Sequence, residues 1–326
     1  MNDGETIIQT DNLTRTFGDL TAVDGLDLAV REGEIFGLVG PDGAGKTTTI
    51  RMLAAIMTPS SGRATVAGFD TVRQAGAIKD RIGYMAQQFN LYGDLSVREN
   101  LDFFADVFGV SGRERRERTE QLLRFARLTE FTDRRAGHLS GGMKKKLALA
   151  CALIHRPDIL YLDEPTTGVD PVARREFWDI LSDLHIQGVT IVVSTPYMDE
   201  AERCSRVGLM FRGRLVVCDT PERIKAMVQG ELVALTPVLL GPDGADNGTG
   251  IGTLRRADAV VAALPGVLEV QSYGDLLHVF ADDADRRMPE IEAALAADSM
   301  LARGLRQTNA RMEEAFTSLI RRQEQP

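Results

Sequence analysis

The chain has 326 residues, of which 44% are apolar and 26% charged, and this composition excludes a disordered, coiled-coil or collagen-like chain. Its formal net charge of −9 argues against nucleic acid as the main partner, because phosphate backbones attract basic surfaces. The length suits two domains, and the sequence has no apolar run of about 18 residues that could cross a membrane.

The chain start and the cysteines bear on the compartment. Met1–Asp11 is polar and lacks the basic start and apolar core of a signal peptide. Three cysteines stand singly, at Cys151, Cys204 and Cys218, and this pattern predicts reduced thiols in a cytosolic protein. The four histidines are scattered, which argues against a zinc site.

The first clear element is the apolar run Glu34–Gly40, which is typical of a buried parallel strand. A glycine-rich turn and a predicted helix at Thr47–Met57 follow it. Strands that alternate with helices predict an α/β fold with a parallel sheet. The later members of this series are Met143–His155 (helix), Ile159–Leu162 (strand), Arg174–Gln187 (helix) and Thr190–Ser194 (strand).

Two stretches have a different texture. Ser96–Gly137 has helical spacing and many charges, and we predict a helical subdomain at about residues 96–140, with Arg113–Arg118 on a solvated face. After residue 221 a smaller α+β domain is predicted over 222–326, with an exposed loop at Gly241–Gly252. Its predicted order is βαββαβα: Leu232–Thr236, Leu254–Leu264, Val267–Tyr273, Leu276–Ala281, Met288–Ala297, Gly304–Thr308 and Met312–Arg321.

A phosphate-binding loop lies between the first predicted strand and helix. Glycines let backbone N–H groups approach an anion, and the helix N-terminus adds unpaired donors. Lys46 can then reach the β- and γ-phosphates of a nucleotide, and the Thr47 hydroxyl can bind Mg²⁺. The pattern G-x-x-x-x-G-K-[ST] is carried by Gly40, Pro41, Asp42, Gly43, Ala44, Gly45, Lys46, Thr47 and Thr48.

Two carboxylates end the strand Ile159–Leu162. Ligands bind at the carboxyl ends of parallel strands, so Asp163 is expected beside the phosphate loop, where it would help to hold Mg²⁺. Glu164 would point elsewhere and act as general base on an attacking water.

These residues, together with Leu139-Ser140-Gly141-Gly142-Met143, make the chain similar to an ATP-binding subunit of an ABC transporter. The resemblance covers about residues 6–220 and implies a P-loop cassette, a parallel-sheet core with a helical subdomain, that hydrolyses ATP with Mg²⁺. Ser140, Gly141 and Gly142 resemble the signature that closes over the ATP of a second cassette. Ser140 can also simply cap its helix.

Other positions match the family in order. Phe17 stands where the family stacks an aromatic ring on adenine, although it could equally belong to the core. Gln87 resembles the glutamine that touches Mg²⁺ and the attacking water, with Gln88 as the competing assignment. Asp170 resembles the key residue of the loop that crosses the dimer interface.

The subtype resembles daunorubicin-resistance and multidrug cassettes that pair with ABC-2 membrane permeases. The tail Asn309–Leu319 resembles the end of the small C-terminal domain that this group carries. The resemblance implies export of a drug-like or lipophilic substrate by separate membrane subunits. It also implies a cytoplasmic location, peripheral on the inner face of the membrane through the permease.

The sequence departs from the family at three positions. Pro196 replaces the histidine that contacts the γ-phosphate, and proline offers neither a side-chain donor nor a backbone N–H. Asp42 replaces an asparagine, and Met143 replaces the signature glutamine. A donor aimed at developing charge is worth about 10²–10³ in rate, so we expect a slow ATP site that works opposite an unlike cassette, unless Thr195 or a water substitutes.

Alternatives remain open from the sequence. A homodimer is the alternative to an unlike partner cassette. A regulatory subunit that binds ATP without useful turnover is the second function, and a soluble non-transport ABC ATPase ranks lowest because the chain has one cassette and a negative charge. The C-terminal domain could serve interaction or regulation, or could stabilise a dimer.

Overall fold

The computed structural model describes residues 5–88, 91–241, 245, 246 and 248–324. The chain divides into two compact units, Met1–Pro221 and Glu222–Pro326. Part of the loop predicted at Gly241–Gly252, residues 242–244 and 247, lies outside the described residues.

The first unit combines an antiparallel sheet, a mostly parallel sheet and a group of helices. Its elements, in chain order, are β1 (Thr6–Phe17), β2 (Leu20–Leu26), β3 (Ala29–Arg31), β4 (Ile35–Val39), α1 (Lys46–Leu53), β5 (Ser61–Val66), β6 (Phe69–Asp70), α2 (Ala75–Lys79), β7 (Ile82–Met85), α3 (Val97–Val107), α4 (Gly112–Phe125), α5 (Gly141–Ala152), β8 (Ile159–Asp163), α6 (Pro171–Ile186), β9 (Thr190–Thr195), α7 (Met198–Ala201), β10 (Arg206–Phe211) and β11 (Arg214–Asp219). A short helix, α8 (Pro221–Ala226), spans the boundary between the units.

The predicted parallel sheet is confirmed and has the order β11-β10-β4-β9-β8-β7. Only β11 runs antiparallel to its neighbour, at one edge. Every residue of β4, β8 and β9 is buried, as expected for strands covered on both faces. In register, Asp163 on β8 lies opposite Ser194 on β9, and Val39 on β4 lies opposite Thr195. The carboxyl ends of three central strands therefore meet at one edge.

The second sheet was not predicted. Strand β1 pairs with β2, β3 and β5, all antiparallel, and β6 continues the sheet beyond β5. Most residues of β1 are polar, and half are exposed; Ile8 and Leu13 are its fully buried apolar residues. Such a strand carries too few apolar residues for alternation to stand out.

The predicted helical subdomain contains α3 and α4. Ser96 begins α3 with a capping box: its hydroxyl accepts from the Glu99 N–H, and the Glu99 carboxylate accepts from the Ser96 N–H. Helix α4 has an outer face of exposed charges, which includes the Arg113–Glu117 ion pair.

Several predicted helix limits of the first unit are wrong. Helix α1 ends at Leu53 rather than Met57, and Ala55 after it adopts a left-handed φ of 54°. Helices α5 and α6 begin two or three residues earlier than predicted. Their starts are set by the capping side chains of Ser140 and Asp170, which accept from backbone N–H groups of the first turn.

The second unit has the predicted order βαββαβα. Its elements are β12 (Glu231–Leu239), α9 (Ile251–Ala262), β13 (Val267–Tyr273), β14 (Leu276–Ala281), α10 (Ala284–Ala297), β15 (Met300–Thr308) and α11 (Met312–Glu324). The antiparallel sheet has the order β13-β14-β12-β15. Its core includes buried residues of α9 and α10. Helix α10 begins at Ala284 rather than Met288, because Asp283 caps it.

Candidate functional site

The phosphate loop joins β4 to α1 and is shaped by close backbone contacts. Gly45 has a φ of 101°, and a Cβ there would lie 2.4 Å from the Ala22 carbonyl oxygen. No other residue type fits this position without movement of the chain. Lys46 is 3% exposed and its Nζ donates to the Gly40 carbonyl at 2.8 Å and to the Pro41 carbonyl at 3.0 Å. The lysine thus lies folded over its own loop.

Asp163 is fully buried at the end of β8 and accepts two hydrogen bonds through one oxygen. The hydroxyls of Thr47 and Ser194 donate to its Oδ1 at 2.9 and 2.7 Å. Its Oδ2 is buried and has no hydrogen-bond partner among the described residues. A buried carboxylate oxygen normally has a partner, so this atom fits a ligand of a hard cation.

Glu164 turns away from Asp163, because its backbone has a left-handed φ of 48°. Its N–H donates to the Ser194 hydroxyl at 3.0 Å. Gln87 Nε2 donates to Glu164 Oε2 at 2.8 Å, and Lys46 Nζ lies 3.5 Å from Glu164 Oε1. The carboxylate is therefore held between the phosphate-loop lysine and the glutamine predicted to face the attacking water. Gln88, the competing residue, lines a different groove.

A cleft of about 610 Å³ opens over the phosphate loop. Phe17 stands at its wall, 43% exposed, with the Arg15 guanidinium 4.6 Å from the centre of its ring. Its exposure leaves a ring face for a planar ligand and is unlike that of a core residue. Other predicted residues also line the cleft: Asp42, Gly43, Ala44, Gly45, Lys46, Thr47, Thr48, Gln87 and Glu164.

The segment after β9 contains Pro196 and a buried polar cluster that the sequence did not reveal. The Thr195 hydroxyl donates to Glu200 Oε2 at 2.7 Å and accepts from the Tyr197 N–H at 3.1 Å. Thr166 donates to the other oxygen of Glu200 at 2.6 Å, and Glu200 is 1% exposed. Because both hydrogen-bonding roles of its hydroxyl are taken, Thr195 is poorly placed to replace the missing histidine.

The signature residues lie outside the cleft. Ser140 caps α5 by accepting from the Met143 N–H at 3.3 Å. A Cβ on Gly142 would lie 2.7 Å from the Ala173 Cβ, whereas a Cβ on the exposed Gly141 would lie 4.0 Å from its nearest neighbour, the Gly168 carbonyl oxygen. Asp170 caps α6 through bonds to two N–H groups of the first turn. These residues do not line the described cleft, while the phosphate loop and the carboxylates do.

The three lysines after the signature, Lys144, Lys145 and Lys146, differ in environment, and Lys146 does not lie on a solvated face. That residue is 7% exposed and forms an ion pair with Glu176, which holds the pKa of the glutamate below its usual range. Lys145 Nζ donates to the Gln87 carbonyl at 3.1 Å. Burial lowers the pKa of Lys145, and the charges of Glu164 and Asp163 oppose that shift. Helix α5 is therefore tied directly to the glutamine of the site.

The residues around Asp163 fit Mg²⁺. They offer a hydroxyl, a carboxylate oxygen without a partner and an amide, which are hard donors. No group of three or more His, Cys, Asp or Glu side chains that could hold a metal occurs among the residues described. Mg²⁺ generally takes one or two protein carboxylates and completes its shell with water and phosphate, so the sparse set is appropriate.

Two findings complete the description of the site. Within the described part of the chain, no helix is long and apolar enough to traverse a bilayer.

Ser194 and Glu200 were missed in the sequence because a serine in an apolar strand and a glutamate in an acidic run carry no motif. Their only signal was closeness in sequence to Pro196, where the sequence departs from the family it resembles.

Residues 23–167 match the family described as ABC transporter. The daunorubicin resistance ATP-binding protein DrrA2 of Streptomyces coeruleorubidus is 40% identical over 227 residues, which cover 69% of this chain and 70% of that protein. A Nod factor export ATP-binding protein I of Paraburkholderia xenovorans is 43% identical over 240 residues, covering 73% of this chain and 78% of the relative.

A longer relative and two solved structures are also similar to this chain. The probable multidrug ABC transporter ATP-binding protein YbhF of Escherichia coli is 48% identical over 223 residues, which cover 68% of this chain but only 39% of that protein. The structure of cbiO1 from Clostridium perfringens, part of the ABC transporter complex cbiONQ, has a TM-score of 0.64 at 28% identity and covers 68% of this chain and 92% of its own. A dimeric post-hydrolysis structure of the ATP-binding cassette MJ0796 bound to ADP and Pi has a TM-score of 0.60 at 27% identity. The match covers 65% of this chain and 98% of the MJ0796 chain.

Proposed function

Since this chain belongs to the ABC transporter ATP-binding family, we propose that it is the ATP-hydrolysing subunit of an exporter. Residues 1–221 would form the cassette and residues 222–326 an accessory domain. The membrane path would come from separate ABC-2 type subunits that carry a drug-like or lipophilic substrate, and the cassette would lie on the cytoplasmic face of the membrane. The names of the two shorter relatives, which refer to daunorubicin resistance and to Nod factor export, support export as the direction.

The observation that carries the proposal is the contact between the phosphate loop and the carboxylates. Thr47 binds Asp163, and Lys46 lies 3.5 Å from Glu164, although these pairs are far apart in sequence. ATP would enter the cleft with its base on the Phe17 ring and its phosphates over the loop N–H groups. Lys46 would then exchange the loop carbonyls for phosphate oxygens.

Hydrolysis would use groups that are already oriented. Mg²⁺, held by Thr47, Asp163 and Gln87, would neutralise charge on the phosphates. Glu164 would accept the proton of an attacking water, which Gln87 would help to position through its amide. The left-handed turn at Glu164 aims this carboxylate away from the one assigned to the metal.

We propose further that this site is slow. Pro196 has no donor for the γ-phosphate, and the Thr195 hydroxyl is occupied by Glu200 and Tyr197. Loss of one preorganised donor is worth about 10²–10³ in rate. The exposed Asp42 adds a negative charge to the same cleft.

The second cassette would supply an ATP site that hydrolyses at an ordinary rate. Ser140, Gly141 and Gly142 lie at a helix N-terminus, outside the cleft of their own chain, and would close over the ATP of the partner. Asp170 would lie in the loop between the cassettes while it caps α6. We propose an unlike partner cassette, with a homodimer as the alternative, and no nucleic acid partner.

A regulatory subunit that binds ATP without turnover is the second candidate function. It is favoured by the same two observations, Pro196 and the engaged Thr195 hydroxyl. A soluble non-transport ATPase is a third and has no specific observation in its favour. The accessory domain would serve interaction or regulation.

Turnover of the purified chain tests the hydrolytic proposal. Pro196→His should raise the steady-state rate of ATP hydrolysis several-fold, because the imidazole supplies a donor to the γ-phosphate. Pro196→Ala is the matched control, since it removes the ring without supplying the donor. Glu164→Gln should abolish the gained activity. An ordinary wild-type rate that histidine leaves unchanged would contradict the slow-site proposal.

Partner identity needs a separate experiment. The chain would be purified by affinity from detergent-solubilised membranes, and the co-purifying proteins identified by mass spectrometry. A polytopic permease with a second, unlike cassette is expected. Turnover of the complex is then measured with the corresponding glutamate of the partner cassette replaced by glutamine, and again with Glu164→Gln added in this chain. A slow motor site leaves residual hydrolysis that Glu164→Gln abolishes, whereas a regulator leaves none.

A further inference from the structure

A second groove lies in the first unit, lined by residues that the nucleotide cleft does not share. It measures about 370 Å³ and lies between α4, the segment after α5, and the segment that joins α6 to β9. Pro157 and Val189 on its wall precede β8 and β9, so it is placed near the amino ends of strands whose carboxyl ends carry the site. None of its lining residues was assigned a role by the cassette motifs.

One face of α4 forms a wall of this groove. Arg118, Gln121, Leu122 and Phe125 line it, and their spacing of three and four residues places them on one side of a helix. Leu153 and Leu184, at 1% and 5% exposure, also line the groove. The lining thus combines an apolar floor with amide and guanidinium groups.

Two arginines line this groove. Arg118 and Arg156 line it, and no carboxylate is present among the described lining residues. Arg118 donates to the Leu153 carbonyl at 2.8 Å and to Gln121 Oε1 at 3.0 Å, while its Nε is buried with no hydrogen-bond partner in the described chain. Burial and the like charge of Arg156 lower the pKa of Arg118, and the charge of Glu114, which does not line the groove, opposes that shift.

We propose that this groove binds an amphiphilic monocarboxylate, with the carboxylate on the Arg118 and Arg156 guanidiniums and the apolar body on the leucine floor. A guanidinium matches a carboxylate in shape and donates charge-assisted hydrogen bonds to it. The bound anion would relieve the repulsion between the two arginines. An apolar floor of this size is unsuited to a polyphosphate, which would leave most of its charges without donors.

Occupancy has a mechanical consequence. The groove joins α4 of the helical subdomain to chain segments that lead into β8 and β9. A ligand that bridges these parts would hold α4 against the sheet layer, and amide exchange in the turn that contains Leu122 would slow down. This effect does not require ATP turnover, and failure of the export proposal would leave it untouched.

Binding of hexanoate to the full chain tests the proposal. Methyl spectra of the leucine-labelled protein would be titrated with hexanoate up to about 20 mM, a range that detects millimolar affinity. Shifts are expected at Leu122, Leu153 and Leu184 and not at Leu277 of the second unit. The neutral analogue 1-hexanol and the cation hexylammonium should produce much smaller shifts at equal concentration.

Variants separate this site from general surface binding. Arg156→Gln should weaken hexanoate binding about tenfold, because one charge-assisted contact is lost. Arg124→Gln, on the exposed side of the same helix, is the matched control and should leave affinity unchanged. Saturating ATP should not compete. Equal binding of 1-hexanol, an unchanged affinity in Arg156→Gln, or no shift at the three leucines would overturn the proposal.

Discussion

Replacing Ser194 by alanine should destabilise the first unit, although the substitution removes only one oxygen atom. The Ser194 hydroxyl is fully buried, donates to Asp163 Oδ1 at 2.7 Å and accepts from the Glu164 N–H at 3.0 Å. In the alanine variant Asp163 keeps only the Thr47 hydroxyl as a donor to that oxygen.

The size of the effect follows from these contacts. A hydrogen bond to a carboxylate contributes about 1.5–3 kcal/mol, and its loss leaves the buried carboxylate less satisfied. The Glu164 N–H loses less, because it also donates to the Ser194 carbonyl at 3.1 Å, which the variant retains. We expect a loss of about 2–3 kcal/mol in the free energy of unfolding.

The single tryptophan makes the measurement specific to this unit. Trp178 lies in α6 at 1% exposure, so its fluorescence during urea unfolding reports on the first unit alone. Ser182→Ala is the matched control: that hydroxyl donates to a carbonyl of its own helix at 3.0 Å, and its removal should change stability by less than about 0.5 kcal/mol. A Ser194→Ala variant as stable as this control would refute the reasoning.

Three further predictions concern the phosphate loop, the signature and pH. Lys46→Ala should reduce ATP affinity at least about tenfold in a fluorescent-nucleotide titration, because its Nζ is the buried cation of the cleft; unchanged affinity would contradict its role. Gly142→Ala should lower the free energy of urea unfolding by about 1–3 kcal/mol, since its Cβ would lie 2.7 Å from the Ala173 Cβ, while Gly141→Ala should be nearly neutral. Equal effects of the two substitutions would show that α5 and α6 can move apart at little cost. Burial lowers the pKa of His155 below its ordinary value of 6.5, so the unfolded chain binds more protons and the free energy of unfolding should fall as the pH drops below about 6.5. His155→Phe should flatten the dependence of the unfolding free energy on pH between about pH 7.5 and 5.5. An unchanged dependence would assign it to other groups.

Some strands were visible in the sequence because they are buried along their whole length. Strands β4 and β8 are apolar along their length and end in glycine or carboxylates, so both their existence and their direction could be inferred. Strands β13 and β14 were predicted to the residue, because Gly274 separates two strand-like segments, the first of which mixes apolar and polar residues. Strand β1 was not predicted because its pairing partners, and not its own composition, hold it in a sheet.

Side-chain networks were predictable only where a motif named them. Thr47, Asp163 and Glu164 were found because their spacing has a chemical reason. Glu200 was not, because a glutamate in an acidic run normally faces water, whereas here it is buried between Thr166 and Thr195. No local pattern distinguishes the two cases, since the partners come from other elements.

The strand order of the parallel sheet also bears on how the protein is synthesised. Strand β9 lies between β4 and β8 in space, yet it follows both along the chain. While a ribosome is still adding residues before Thr190, the phosphate loop and Asp163 already exist but have no strand between them to hold them in register. A nascent chain therefore carries the phosphate loop, the signature and both carboxylates before the strand that aligns them exists, and a fragment that ends before β9 should be exposed to chaperones and proteases with these motifs intact.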